Sequence, residues 1–231
     1  MTADKPAASL LPWLLLLLSF TTGLVDAISV LGLGKVFTAN MTGNVVFLGF
    51  AASGAPGFKI APYAFAIASF MVGALIAGRV GKCHIGLPLR RWLLIAASVE
   101  ASLLWIAAGV AVGFDVATQT PGPSVYIIIA LTGLAMGFRN ATIRQLKVPD
   151  LTTTVLTLTI TGLAADSSVA GGSNPNWARR IASVTAIFLG AAIGAYLVTH
   201  GGLVTPLILA GGLVFAGTLA CMLHPSAAKP L

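Results

Sequence analysis

The chain has 231 residues, of which 57% are hydrophobic and 8% are charged, and its net charge is +7. A soluble domain carries roughly a quarter of its residues as charged side chains, so this composition excludes a soluble globule and predicts an integral membrane protein. The apolar residues form long continuous stretches, which predicts an all-α protein, because the strands of a β-barrel would alternate apolar and polar residues.

Six apolar stretches are long enough to cross a bilayer, for which a helix needs about 20 residues. They cover residues 10–33, 61–80, 92–113, 124–146, 180–199 and 202–223. Two further apolar segments, 38–53 and 150–166, are shorter and rich in Thr, Asn and Gly. These two either cross the membrane, which gives eight spans, or form broken or re-entrant helices, which leaves six.

The basic residues distinguish these two topologies, because Lys and Arg in loops collect on the cytoplasmic side. With six spans and a cytoplasmic N-terminus, Lys35 and Lys59 lie outside and eleven basic residues lie inside. The eleven are Lys5, Arg79, Lys82, Arg90, Arg91, Arg139, Arg144, Lys147, Arg179, Arg180 and Lys229. Eight spans would leave eight inside and five outside. The asymmetry therefore favours six spans, with both termini in the cytoplasm.

The chain is predicted to be a single membrane domain, 1–231, whose halves repeat the same order of long and short segments. The halves cover about 10–113 and 124–223. A shift of 114 residues aligns GLVDAISV, which contains Asp26, with GFRNATIR, which contains Asn140. Because each half has three spans, the halves would insert with opposite orientation. The pattern predicts two inverted structural repeats, as in many secondary transporters.

Two blocks of sequence resemble a known family. They are GLVDAISVLGLGKVFTANMTGNVVFLG (23–49) and GLAMGFRNATIRQLKVPDLTTTVLTLTITGLAAD (133–166). Over essentially the whole chain the sequence resembles the YoaK-like family of small bacterial multi-pass membrane proteins, a domain of unknown function. The resemblance implies a location in the bacterial cytoplasmic membrane. It implies no reaction, substrate or catalytic residue.

Asp26 is the first polar position of interest, because an ionisable side chain inside a span costs roughly 3 kcal/mol. Thr22, Asp26 and Ser29 are spaced so that they form one polar stripe, which must face protein or water. One interpretation is a site for a proton, a cation or a cationic solute. The other is a structural carboxylate that bonds backbone amides freed where the helix is interrupted.

The two short segments contribute further polar side chains that have the same two interpretations. They either bind a solute or ion, or cap the helix ends that an interruption leaves unsatisfied, as Asn40 or Thr42 would do for a helix starting near Met41. The two segments are predicted to meet near the middle of the membrane. The predicted substrate- or ion-binding site consists of Asp26, Asn40, Thr42, Asn44, Asn140 and Thr154.

Arg139 is the other buried charge that needs a partner. Its depth differs from that of Asp26 by roughly 10 Å, whereas Glu100 lies at a similar depth. A Glu100–Arg139 ion pair, acting as an inner gate, is therefore predicted in preference to an Asp26–Arg139 pair. The alternative is that Arg139 snorkels to the lipid headgroups.

These features predict a small secondary transporter or permease of a small solute, with proton coupling through Asp26. The alternative is a non-transporting scaffold, subunit or assembly factor. The sequence shows no nucleophile–base arrangement, metal-ligand spacing or phosphate-binding loop in a suitable context, so no enzyme activity, catalytic residue, metal or cofactor is predicted. The expected partners are the lipid bilayer and an unknown small solute or ion. Nucleic acid is not expected, and a homo-oligomer is compatible with the sequence.

Overall fold

The computed structural model describes residues 11–84, 88–146 and 156–223, whose regular structure is helical. Six helices are long and apolar enough to cross a membrane: α1 (Leu11–Gly32), α3 (Ile60–Lys82), α4 (Leu89–Val110), α5 (Gly122–Leu146), α7 (Trp177–Gly201) and α8 (Val204–Met222). Two short apolar helices, α2 (Met41–Ala52) and α6 (Leu156–Ala165), lie between them in the chain. The prediction of an all-helical membrane protein with six long and two short segments is confirmed.

Helix length separates the two groups. The long helices contain 19 to 25 residues, and a helix of 22 residues is about 33 Å long, close to the thickness of the hydrocarbon core. The 12 residues of α2 and the 10 residues of α6 reach only about 18 Å and 15 Å. Helix α2 therefore cannot cross the core by itself, and the described part of α6, which begins where the described residues resume, is also shorter than the core.

The long helices pack in pairs around a centre formed by α1 and α5, which have the largest buried share of the six. Helix α7 lies along α1, and α3 lies along α5. Helices α4 and α8 pack on each other, and each contacts one central helix, α5 and α1 respectively. The short helices are peripheral, with α2 against α3 and α6 against α7.

Glycines bring α1 and α7 together backbone to backbone. A Cβ atom added at Gly23 would overlap the carbonyl oxygen of Ile187, and one added at Gly190 would overlap that of Phe20. Close approach of this kind is how helices pack tightly in lipid, where apolar burial does not drive association.

The same arrangement joins α3 and α5. A Cβ atom at Gly73 would overlap the carbonyl oxygen of Leu134, and one at Gly137 would overlap that of Phe70. Each central helix is thus fixed to its outer neighbour by a reciprocal pair of glycine contacts.

Because successive long helices alternate in direction, the loops lie on two opposite faces. We call the face with residues 33–59 and 111–121 the Lys35 face. The opposite face, where α3 and α5 end and α7 begins, is the Arg180 face.

Candidate functional site

The chain between α1 and α2 turns back into the bundle. Gly34 and Lys35 adopt the left-handed conformation, with φ of 83° and 65°, and reverse the chain direction. Thr38 and Ala39 are then buried, at 0% and 3% exposure. Residues 33–40, which we call the return segment, are irregular backbone that turns at the exposed Lys35 and then enters the protein, where its buried polar groups need partners.

Asn44, in the first turn of α2, satisfies one residue of this segment. Its side-chain oxygen accepts a hydrogen bond from the Phe37 N–H at 2.9 Å, and its side-chain nitrogen donates to the Phe37 carbonyl oxygen. Asn44 is fully buried. In this structure it holds the return segment in place.

Asp26 contacts the same segment from α1. One carboxylate oxygen accepts a hydrogen bond from the Ala39 N–H at 3.3 Å, and this is the one hydrogen bond of the carboxylate within the described ranges. Charge-assisted bonds are typically 2.7–2.9 Å long, so the contact is weak for an ionised carboxylate. The neighbouring Thr38 hydroxyl is buried and has no hydrogen-bond partner in the described part of the chain. A structural carboxylate was predicted to bond a backbone amide, and the Ala39 N–H makes this bond. A carboxylate can accept several hydrogen bonds, so one weak bond leaves Asp26 mostly unsatisfied.

The predicted polar stripe on α1 faces protein. The Thr22 hydroxyl donates to the Leu18 carbonyl oxygen at 2.9 Å, and the Ser29 hydroxyl donates to the backbone carbonyl oxygen of Asp26 at 3.1 Å. Both side chains are buried. Asp26 itself is half-buried.

Asn40 and Thr42 do not act as the predicted side-chain caps. Asn40 occupies the N-cap position of α2, but its side chain makes no capping hydrogen bond. Thr42 lies inside the helix and is exposed. The structural role expected of this pair is taken by Asn44, one helical turn further on, because its side chain reaches back to Phe37. A ligand role for Asn40 or Thr42 stays a prediction.

The second-half positions are less completely described. The Asn140 side chain donates to the Met136 carbonyl oxygen of its own helix at 2.8 Å, and it makes a further contact. Thr154 lies outside the described residues, as does the chain from 147 to 155. The meeting of the two interrupted segments therefore stays a prediction, and their helices α2 and α6 pack on different long helices.

Glu100 and Arg139 form a salt bridge between α4 and α5. Their exposures are 4% and 2%, so the pair is fully enclosed. The alternative interpretation, in which Arg139 snorkels to the headgroups, is wrong, because the guanidinium points into the bundle toward Glu100. Whether the pair acts as a gate stays a prediction.

Arg139 also ties α5 to α1. One guanidinium nitrogen donates to the Leu18 carbonyl oxygen at 3.0 Å and to the Thr22 hydroxyl at 2.9 Å. A cavity of about 20 Å³, lined in part by Glu100 and Arg139, adjoins the pair. This is room for a water molecule beside the ion pair. Arg139 thus links three helices, and it bonds α1 one to two turns away from Asp26.

A second ion pair, between Asp166 and Arg180, was not predicted from the sequence. The Arg180 guanidinium donates to the Asp166 carboxylate at 2.7 Å and connects the end of α6 to α7. The Asp166 side chain is 44% exposed. The two residues are 14 positions apart, so no helical spacing indicates their contact.

The buried ion pair, the return segment after α1 and the six spanning-length helices define a multi-pass α-helical membrane protein. The chain matches the family described as "Protein of unknown function (DUF1275)" over residues 14–220, and it belongs to this family. It is 35% identical over 159 residues to the UPF0700 transmembrane protein YoaK of Bacillus subtilis (strain 168). That match covers 67% of this chain and 66% of the relative. No solved structure matches the chain. The resemblance to YoaK-like proteins is confirmed.

Proposed function

We propose that this protein is a small secondary carrier of the bacterial cytoplasmic membrane, which moves a small solute together with a proton carried by Asp26. The observation that supports this most is the setting of Asp26, a carboxylate within a span that faces the irregular return segment and bonds one backbone N–H. Secondary carriers bind solutes and ions where irregular backbone leaves polar groups available, and the return segment that bonds Asp26 is such backbone.

The charges inside the bundle support a proton at Asp26. Away from helix ends, the described spans hold two carboxylates and one guanidinium, and Arg139 is engaged by Glu100. A charged carboxylate without a cationic partner is costly in a low-dielectric interior. A proton bound at Asp26 would remove that cost, and its release would restore the charge when the site opens to water.

We propose that the halves of the carrier are inverted repeats. The glycine contacts between α1 and α7 correspond to those between α5 and α3. The residues that make these contacts occupy equivalent positions in the two halves. In α1 and α5 the contacting residues are 114 positions apart, residue 20 matching 134 and residue 23 matching 137. In α3 and α7 they are 117 positions apart, residue 70 matching 187 and residue 73 matching 190. In this repeat α1 corresponds to α5, α3 to α7 and α4 to α8. The contact between α4 and α5 in one half then corresponds to the contact between α8 and α1 in the other. One correspondence thus relates all of these helix pairs, which supports the repeat.

We propose that the Arg180 face is cytoplasmic. Basic side chains concentrate there, as the positive-inside rule expects of the cytoplasmic side. In the described ranges they are Arg79, Lys82, Arg90, Arg91, Arg144, Arg179 and Arg180. The Lys35 face has two, Lys35 and Lys59.

Transport is tested in proteoliposomes that enclose a pH-sensitive dye. A panel of small solutes is added outside, and solute uptake and internal pH are followed for the wild type, Asp26→Asn and Asp166→Asn. We expect at least one solute to enter together with protons, and this coupled entry to be lost in Asp26→Asn but kept in Asp166→Asn. The second variant is the matched control, because it makes the same change at a half-exposed position.

No flux for any solute, together with an unchanged cellular phenotype of Asp26→Asn, would overturn the carrier proposal. That result would favour a scaffold, subunit or assembly factor.

A further inference from the structure

The Lys35 face contains a pocket between the ends of α1, α3 and α5. Its volume is about 460 Å³, within the usual range for small-molecule sites. Leu33, Tyr63 and Val125 line it and are each less than 8% exposed, whereas Lys59 and Tyr126 line it and are exposed. The pocket therefore has a buried floor and a solvent-facing rim.

One lysine of this face lines the pocket, and the other lies beside it. Lys59 lines it directly. Lys35 follows Gly34, which also lines the pocket, and its Nζ lies 5.4 Å from the ring centroid of Phe58, another lining residue. Neither lysine has a carboxylate partner within the described parts of the chain. An ammonium group in the lining and a second one over a lining residue create a positive potential that attracts anions.

Polar groups that can orient a ligand surround the same opening. The Gln119 side chain lies against Gly34, where a Cβ atom would be 3.1 Å from the Gln119 amide nitrogen. Lys35 and Gln119 both hold the left-handed conformation, with φ of 65° and 54°. That conformation is uncommon for residues other than glycine and clusters at functional sites.

The nearby acidic group does not neutralise the lysines through a direct bond. The Asp115 carboxylate accepts hydrogen bonds from the Ala117 N–H and from the Thr118 hydroxyl, both at 2.8 Å. These donors hold the pKa of Asp115 below its ordinary value, since they stabilise the charged form. Asp115 therefore stays charged beside Thr118, which lines the pocket, so the local balance is two ammonium groups against one carboxylate.

We infer that this pocket binds a small solute with one carboxylate group, held by Lys35 and Lys59 and oriented by Gln119 and the tyrosine rings. This inference deepens the proposed function, because the solute would be the one carried. Residue 26 is seven positions before Leu33 along α1, so the pocket lies roughly 10 Å from Asp26 along the helix axis. A carboxylate that enters with one proton carries no net charge across the membrane.

The anion could also be the phosphate headgroup of a lipid, so the experiment separates the two sources. A thiol is introduced by Gly122→Cys in a Cys83→Ser, Cys221→Ala background. Gly122 lines the pocket, and a Cβ atom there meets open space. Ser53→Cys, exposed on the same face, is the matched reference thiol.

Modification rates are measured in phosphatidylcholine nanodiscs with an anionic and a cationic methanethiosulfonate reagent. We expect the ratio of anionic to cationic modification rates to be on the order of tenfold higher at position 122 than at position 53. Lys35→Gln combined with Lys59→Gln should abolish this preference, whereas Lys82→Gln on the other face should not. Lactate should slow modification at position 122, and uncharged lactamide should not.

The inference would be overturned if the ratio of anionic to cationic modification rates were the same at positions 122 and 53. It would also be overturned if position 122 were protected only when the nanodiscs contain phosphatidylglycerol. The assay needs no transport. Protection by lactate would keep the pocket even if no solute of the panel showed flux and the Asp26→Asn phenotype were unchanged, which would refute the carrier. Proton-coupled flux of a solute without protection by lactate would keep the carrier and refute the pocket.

Discussion

Within the described residues, two carboxylates lie inside the helical bundle, and they differ in burial and in hydrogen bonding. Glu100 is enclosed and bound to Arg139, whose remaining bonds fix α1. Asp26 is half-buried and accepts one hydrogen bond of 3.3 Å from the Ala39 N–H. The first arrangement pairs the two charges and joins three helices, with the Arg139 Nε as the one guanidinium nitrogen that has no hydrogen-bond partner in the described residues. The second is incomplete and borders an irregular segment.

This difference separates a structural charge from a chemically available one. Burial of an ion pair is tolerated only when each partner is satisfied by the other, and removal of one partner leaves an uncompensated charge. Asp26 has no such partner to lose. We therefore propose that Glu100 mainly stabilises the bundle and that Asp26 serves the proposed function, and the following variants test that assignment.

The largest effect is expected from Glu100→Gln, because it leaves the Arg139 guanidinium buried and unpaired. Such a change costs roughly 3–5 kcal/mol in the free energy of unfolding. Asp26→Asn, the equivalent change at the other carboxylate, should cost less than about 1 kcal/mol. Unfolding in mixed detergent micelles measures both. Equal losses for the two variants would contradict the assignment.

Asn44→Ala should have the next largest effect, because the Phe37 N–H and carbonyl both lose their partner. Each unsatisfied buried group costs about 1–3 kcal/mol, and because Phe37 is only half-buried we take the lower part of that range, about 1–2 kcal/mol, for each of the two groups and expect roughly 2–4 kcal/mol. Hydrogen exchange at the Phe37 and Ala39 amides should also accelerate. Asn40→Ala is the control, because the Asn40 side chain makes no capping bond. Similar exchange rates in both variants would show that Asn44 does not hold the return segment.

Gly190→Ala and Gly137→Ala test how the helices that carry Asp26 and Arg139 are held. The added methyl group would overlap a backbone carbonyl oxygen in each case, and overpacking typically costs about 1–3 kcal/mol. Gly78→Ala is the control, because a Cβ atom there meets nothing within 4 Å. We expect the control to be neutral or slightly stabilising in the same unfolding assay. If Gly78→Ala lost as much stability as Gly190→Ala, close helix packing would not explain the loss.

The smallest effect is expected at the peripheral ion pair. The Asp166 side chain is 44% exposed although that of Arg180 is only 10% exposed, so water reaches the carboxylate side of the pair, and we expect a loss near the upper end of the range for exposed pairs, about 1 kcal/mol. Asp166→Asn should therefore lower stability only slightly, and less at high salt. A loss as large as that of Glu100→Gln would mean that exposure does not distinguish the two pairs.

The long helices were predictable because the length of an apolar stretch fixes a span by itself. Predicted spans such as 61–80 and 124–146 differ from the observed Ile60–Lys82 and Gly122–Leu146 by at most two residues at each end. The short segment predicted at 38–53 became a helix from Met41 to Ala52, since its polar start belongs to the return segment. Local composition thus determined both the spans and their interruption.

The contacts of the polar side chains were harder to predict, because they depend on how helices face one another. Depth along the spans favoured Glu100 as the partner of Arg139, but it gave no sign of the bonds to Leu18 and Thr22. Three polar residues near the start of α2 looked equivalent in sequence. The fold distinguishes them, since only Asn44 is buried against Phe37.

The most direct test of the account compares two transport modes of Asp26→Asn in proteoliposomes, with whichever solute the wild type carries. Exchange of labelled for unlabelled solute needs no net proton movement, whereas accumulation driven by a pH gradient does. We predict that Asp26→Asn keeps exchange and loses accumulation. Accumulation at the wild-type level, or loss of both modes in a variant that remains folded, would contradict the assignment of the coupling proton to Asp26.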